Sequence, residues 1–166
     1  MKEAIKSIGI FVVALFISVI LYPFLHELGH LIMAILLGVR VVEVNLLPIP
    51  NIICETAASN IENFLIGFGG IFFPIILSIC ISTKKFWIWY ANFILKGICL
   101  LSVVISALSL IFEKSQLFIQ DDMRVVLSLW ASGKQFCLII IAFIAIILSL
   151  DLYKEYLWFV KGDKKY

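Results

Sequence analysis

The sequence holds two histidines, His26 and His30, four residues apart, with Glu27 directly after the first. On a helix, residues i and i+4 lie on one face, about 6 Å apart along the axis, so two imidazoles at this spacing can share one metal ion. Glu27 projects about 100° around the helix from His26, close enough to reach a water at that metal. His26-Glu27-Leu28-Gly29-His30 therefore matches the HExxH arrangement of two zinc ligands and a general base. The chemistry it implies is zinc-assisted hydrolysis, with one Zn2+ per chain.

The surroundings of the motif sharpen this expectation. All three ionisable residues lie inside a long apolar run. A charged residue at the centre of a membrane helix costs about 2.5–3.5 kcal/mol on insertion scales. Metal coordination offsets that cost and keeps the imidazoles neutral, whereas three merely structural polar residues are hard to justify there.

A catalytic zinc takes three protein ligands and leaves a fourth position open. No third histidine exists. The cysteines, Cys54, Cys80, Cys99 and Cys137, form no CxxC pair, and three of them sit in apolar runs. They read as small hydrophobic side chains, and thiolate ligation suits a structural site better. The remaining candidates are Glu43, Glu55, Glu62, Glu113, Asp121, Asp122 and Asp151. Asp121 and Asp122 stand out because they open a helical segment after a polar loop. A carboxylate is favourable at a helix N-terminus, so plain capping explains them too.

The elements that must position these groups follow from the apolar pattern. Residues 5–37 form one apolar stretch with Pro23 inside it and Gly38 as its stop. A single helix of that length is about 50 Å long against a hydrocarbon core of about 30 Å, so it must tilt, kink or project. The β-branched, roughly alternating Val41-Val42-Glu43-Val44-Asn45-Leu46, followed by Pro48 and Pro50, predicts a short strand or hairpin at the membrane surface. A second span covers about residues 64–81, with Gly67, Gly69, Gly70 and Pro74. A third stretch, 86–112, opens with the interfacial aromatics Trp87, Trp89 and Tyr90. Lys96 interrupts it, which places the true span from near Gly97 or makes Lys96 snorkel. A polar loop at 113–120, a short segment at 125–131, a last span at about 135–150 and a charged, aromatic tail from Lys154 complete the chain. The fold class expected is an all-α polytopic membrane protein. It has about four transmembrane helices, a short membrane-associated β element after the HExxH helix, and residues 1–166 as one domain.

Composition agrees. Of 166 residues, 63% are hydrophobic and 14% charged, against roughly 25% charged in soluble domains. The polar surface is too small to coat a water-facing globule, and the bilayer is the natural solvent. No basic stripe interleaved with aromatics suggests nucleic acid. Lys2 and Lys6 before an apolar stretch resemble a signal peptide, but no small-x-small cleavage site follows, so a retained helix is expected. With four spans, Lys2, Lys6, Lys84, Lys85, Lys154, Lys161, Lys164 and Lys165 share one side. Arg40, Lys114, Arg124 and Lys134 share the other. The positive-inside rule then places both termini in the cytoplasm of a multi-pass protein, in the plasma membrane.

The motif His26-Glu27-Leu28-Gly29-His30, followed by Leu36-Leu37-Gly38-Val39, resembles the zinc-binding helix of the site-2 protease family of intramembrane metalloproteases. The extended segment 41–50 resembles that family's membrane-associated β element. The glycines from Gly67 to Gly70 resemble its Gly-rich second core helix. Asp121-Asp122-Met123-Arg124-Val125-Val126-Leu127 resembles the third-ligand motif, in which Asp is followed by Gly-Gly-Arg and an apolar helix. Matching Arg124 to that Arg implies Asp121 as the third ligand, with Asp122 the alternative. The chain departs from the pattern where Asp122 replaces the usual Gly and where Ser109 stands in place of Asn, as in a divergent, minimal member.

The resemblance implies a zinc metalloendopeptidase acting on membrane-embedded or membrane-associated peptides, with Glu27 as general base. Substrate is expected to pair with the strand at 41–46. Two rival readings keep the motif without proteolysis. One is a catalytically inactive membrane scaffold, immunity or regulatory protein, against which the intact Glu27 argues. The other is a zinc-dependent transporter or sensor, for which no second line of intramembrane charges marks an ion path.

Overall fold

The computed structural model describes residues 2–45, 50–57, 59–81, 83, 85–112, 122 and 131–162. The chain is mostly helical, with a small two-stranded sheet. It divides into two compact units, Met1–Ile98 and Cys99–Tyr166. Four helices are long and apolar enough to cross a membrane.

The first unit opens with α1, Lys2–Phe16, and α2, Tyr22–Leu36, joined by a π turn at Ile17–Leu21. The turn has a local cause. Pro23 has no N–H, and in a regular helix its ring clashes with the carbonyl four residues back. One residue earlier the ladder is widened, and the Tyr22 N–H donates to the Ile17 carbonyl. The run therefore continues past the proline in register for the histidines. Its apolar portion, Ile5–Leu36, is 32 residues long, or about 48 Å, which exceeds a hydrocarbon core of about 30 Å. Most of α1 is exposed apolar surface, including Phe11, Leu15 and Phe16.

Gly38 ends α2 as expected. It adopts φ +69°, a conformation costly for any residue with a Cβ. That turn lets Val39 N–H donate to the Ala34 carbonyl at 2.9 Å and Gly38 N–H to the Ile35 carbonyl at 3.1 Å. The pair of bonds satisfies carbonyls the helix end would leave open. The chain then forms the hairpin: β1, Val41–Asn45, pairs antiparallel with β2, Asn51–Cys54, with an irregularity between Val41 and Glu43. Glu55 N–H donates to the Arg40 carbonyl at 2.9 Å and closes the open end of the hairpin.

The helix α3, Asn60–Cys80, starts on a reciprocal cap. The Ser59 hydroxyl accepts from Glu62 N–H, and the Glu62 carboxylate accepts from Ser59 N–H, each at 3.1 Å. Asn63 accepts from Ala57 N–H at 2.8 Å and donates to the Ala57 carbonyl at 3.0 Å, which ties the end of the hairpin to α3. Within the first unit α2 packs most extensively on α3. The crossing is made of glycine: a Cβ at Gly29 would meet the Gly69 backbone, and one at Gly69 would stand 2.7 Å from the Gly29 carbonyl oxygen. Without side chains the two backbones approach closely, the way helices associate where lipid supplies no hydrophobic drive.

The next helix, α4, Phe86–Ile111, contains the boundary between the units. Asn92 donates to the carbonyls of Ser78 at 2.9 Å and Ile81 at 3.1 Å, capping the end of α3. Lys6 lies over the Phe86 ring, 5.6 Å from its centroid. The expectation that Lys96 marks a span boundary or snorkels is corrected: α4 runs unbroken from Phe86, and Lys96 is only 2% exposed. Lys96 falls on the buried face with Asn92, Leu95, Cys99 and Val103, spaced three to four residues apart, so helical periodicity turns it inward.

In the second unit, Ala131–Gly133 forms a short 3₁₀ turn into α5, Lys134–Gly162. This helix extends 12 residues beyond the expected end at Leu150. The continuation, with Lys154, Glu155 and Leu157, is rich in helix formers and lacks Gly or Pro before Gly162. Cys99 and Cys137 are buried, Cys54 is half-buried and Cys80 exposed, all as free thiols. The expected loop at 113–120 and segment at 125–131 lie outside the described residues, apart from Ala131.

Candidate metal centre

The two imidazoles meet where α2 lies on α3. Their rings stand edge to face at 85°, with centroids 4.8 Å apart, as the i, i+4 spacing dictates. The Nε2 atoms of His26 and His30 are 3.2 Å apart. His30 Nδ1 lies 2.8 Å from the Ile66 carbonyl of α3. A carbonyl only accepts, so Nδ1 carries the proton, and His30 Nε2 presents a lone pair toward His26. A hydrogen bond at one ring nitrogen that fixes the other for a metal is the usual outer support of a histidine ligand.

Gly70 of α3 forms the floor. A Cβ there would stand 2.5 Å from His30 Nε2, 2.6 Å from His30 Cε1 and 2.9 Å from His26 Cε1. Gly70 thus leaves open the space that the two imidazoles occupy. His30 is 8% exposed and His26 half-buried.

Glu27 completes the group. One carboxylate oxygen and one ring nitrogen from each histidine lie within 4.8 Å of one another. Glu27 Oε2 accepts a hydrogen bond of 2.9 Å from the Ile52 backbone N–H of β2. Backbone groups along an antiparallel strand alternate between its two edges. Glu55 turns inward to Arg40, so Asn51 and Ile53 do too, while Ile52 and Cys54 face the opposite edge. The strand edge facing Glu27 therefore belongs to β2. Nearby, burial first and the Glu27 carboxylate second push the Cys54 thiol above its ordinary value.

The geometry fits a zinc ion. Two nitrogens each about 2.0–2.1 Å from one tetrahedral zinc are about 3.3 Å apart, close to the observed 3.2 Å. Glu27 lies beside the pair.

The other acidic candidates of the first unit are engaged elsewhere. Glu43 accepts from Asn45 at 2.6 Å, Glu55 faces Arg40 at 3.5 Å across an exposed ion pair, and Glu62 caps α3. Asp121 and Glu113 lie outside the described residues. Asp122 is helical and half-buried, and Asp151 lies on α5; both belong to the second unit. Three supporting groups escape sequence reasoning: the Ile66 carbonyl, the Ile52 amide and the role of Gly70 as floor. The first two are backbone groups that carry no residue signature. The third is visible in the sequence only as one glycine in Gly67-Phe68-Gly69-Gly70. No family model, curated protein or solved structure matches this chain.

Proposed function

We propose that the chain is an intramembrane zinc metalloprotease similar to the site-2 protease family, cleaving membrane-embedded or membrane-associated peptides. The observation that carries the reading is the convergence of the His26 and His30 Nε2 atoms over Gly70 with the Glu27 carboxylate beside them. The setting adds weight, because the group sits on a 32-residue apolar helical run.

His26 and His30 would hold the ion, and the family resemblance implies Asp121, or Asp122, as the third ligand. A zinc ion in that position supplies a Lewis acid for the scissile carbonyl and lowers the pKa of water toward about 7. Glu27 accepts the proton of the attacking water and delivers it to the leaving amine. The α2–α3 crossing buries His30 and partly covers His26, while the hairpin brings extended backbone to Glu27. Both termini are read as cytoplasmic, with the protein multi-pass in the plasma membrane.

The test is metal analysis of the purified protein together with cleavage of reconstituted membrane peptides by wild type and Glu27→Gln. About one zinc per chain in both proteins, with cleavage only by wild type, supports the reading. Zinc without cleavage in either would favour a non-proteolytic scaffold or regulatory protein.

A further inference from the structure

We infer that the Ile52 backbone N–H is the positioning group for Glu27, so that the outer edge of β2 sets the aim of the base. The inference rests on the proteolytic reading above and adds a group that no motif contains. Helix α2 fixes where the Glu27 side chain begins, but three rotatable bonds separate Cα from the carboxylate. A general base must stand within hydrogen-bond reach of the proton it takes, and a displacement of about 1 Å costs on the order of 100-fold in rate. Something beyond α2 must hold the carboxylate. Among the described residues the donor to it is Ile52 N–H, at 2.9 Å.

The bond suits that role. It is charge-assisted, and so stronger than one between neutral groups. It engages Oε2 alone, and a carboxylate has about four lone-pair sites, so capacity to take a proton remains. The strand that carries the donor is held from both sides in the chain. The hairpin follows directly from the Gly38 turn that ends α2, and the segment leaving β2 is bound to α3 through Asn63 and Ala57. The base is thereby set by the same two helices that bring His26, His30 and Gly70 together. Ile52 contributes a main-chain group, so its side chain is free to vary while its N–H is not.

This gives a selective substitution. Ile52 N–H faces away from β1, and proline is tolerated on a strand edge that makes no ladder bond. Ile52→Pro deletes the donor and leaves the pairing of Asn51 and Ile53 intact. Ile52→Ala trims the side chain and keeps the donor. In the full-length protein, Ile52→Pro should retain about one zinc per chain and KM within about twofold, while kcat falls about 10- to 100-fold. Ile52→Ala should keep kcat within about threefold. Normal kcat in zinc-loaded Ile52→Pro would overturn the inference, as would an equal loss in both variants.

A second measurement needs neither turnover nor an altered hairpin. In isotope-labelled protein in micelles, the Ile52 amide proton should resonate downfield and move upfield in Glu27→Ala, with the Asn51 and Ile53 amides unmoved. An Ile52 amide indifferent to Glu27→Ala would overturn the contact. Loss of all wild-type cleavage with the amide shift intact would instead sink the protease reading and the catalytic half of this inference with it.

Discussion

Gly70 lies directly beneath His30: a Cβ on Gly70 would stand 2.5 Å from the imidazole Nε2. No real Cβ tolerates that separation, and the same Cβ would stand 2.9 Å from His26 Cε1. Both imidazoles are thus seated by the absence of a side chain on the neighbouring helix.

Gly70→Ala should therefore displace the imidazoles and lower bound zinc well below one per chain. Gly97 on α4 is the control, because a Cβ there meets nothing within 4 Å. Gly97→Ala should keep zinc and stabilise the fold by about 0.5–1 kcal/mol, the usual gain for alanine over glycine inside a helix. Metal analysis of the two variants separates a steric floor from general intolerance to substitution. Equal zinc in both would refute the floor.

The helix crossing predicts a graded response. At Gly29 an added Cβ meets the Gly69 carbonyl carbon at 2.7 Å and Phe73 Cβ at 2.9 Å, so the backbone must move. At Gly69 one obstacle is the flexible Met33 side chain. Gly29→Ala should be the costlier of the two, by about 1–3 kcal/mol of overpacking. Unfolding curves in detergent would show it, and a Gly69→Ala variant less stable than Gly29→Ala would contradict the geometry.

These residues also show how far the amino-acid sequence alone reaches. The spacing of His26 and His30, the Gly38 stop and the β-branched run at Val41 each rest on local rules, and the fold follows them. Lys96 is harder, because a lysine in an apolar run reads as a boundary unless the face it occupies is known. The π turn at Ile17–Leu21 is out of reach for another reason: Pro23 predicts some adjustment but not its form. The Ile52 amide and Ile66 carbonyl carry no side-chain signal at all. Two of the three supporting groups are main chain, visible only once α2, α3 and the hairpin are placed together.

Cys54 offers a probe of the electrostatics beside the site. Its thiol is pushed up by burial and, secondarily, by the Glu27 carboxylate. The thiolate is the reactive form, so in the metal-free protein alkylation should have its midpoint above that of a free thiol near pH 8.5. Glu27→Gln removes the second cause and leaves the first. The midpoint should fall only part of the way back, in a Cys80→Ser background that silences the exposed thiol. A midpoint unmoved by Glu27→Gln would mean the carboxylate does not act on Cys54.

His30 should show two separable losses. It is 8% exposed, its Nδ1 bonds the Ile66 carbonyl at 2.8 Å, and its Nε2 faces His26 at 3.2 Å. On the proposed metal reading His30→Ala removes a ligand, so zinc should fall from about one per chain to near zero. It also removes a hydrogen bond between α2 and α3 and leaves a void in their contact. The metal-free protein should lose about 1–3 kcal/mol on that account. His30→Gln fills part of the void and can still donate toward Ile66, so it should recover stability without restoring the imidazole. Zinc titration and thermal unfolding of the metal-free variants read the two losses independently. If His30→Ala kept its zinc, the ion would not be held by this pair. If His30→Gln bound zinc as wild type does, an imidazole at position 30 would not be required. A metal-free His30→Ala as stable as wild type would show that the Ile66 contact orients the ring without helping to hold α2 on α3.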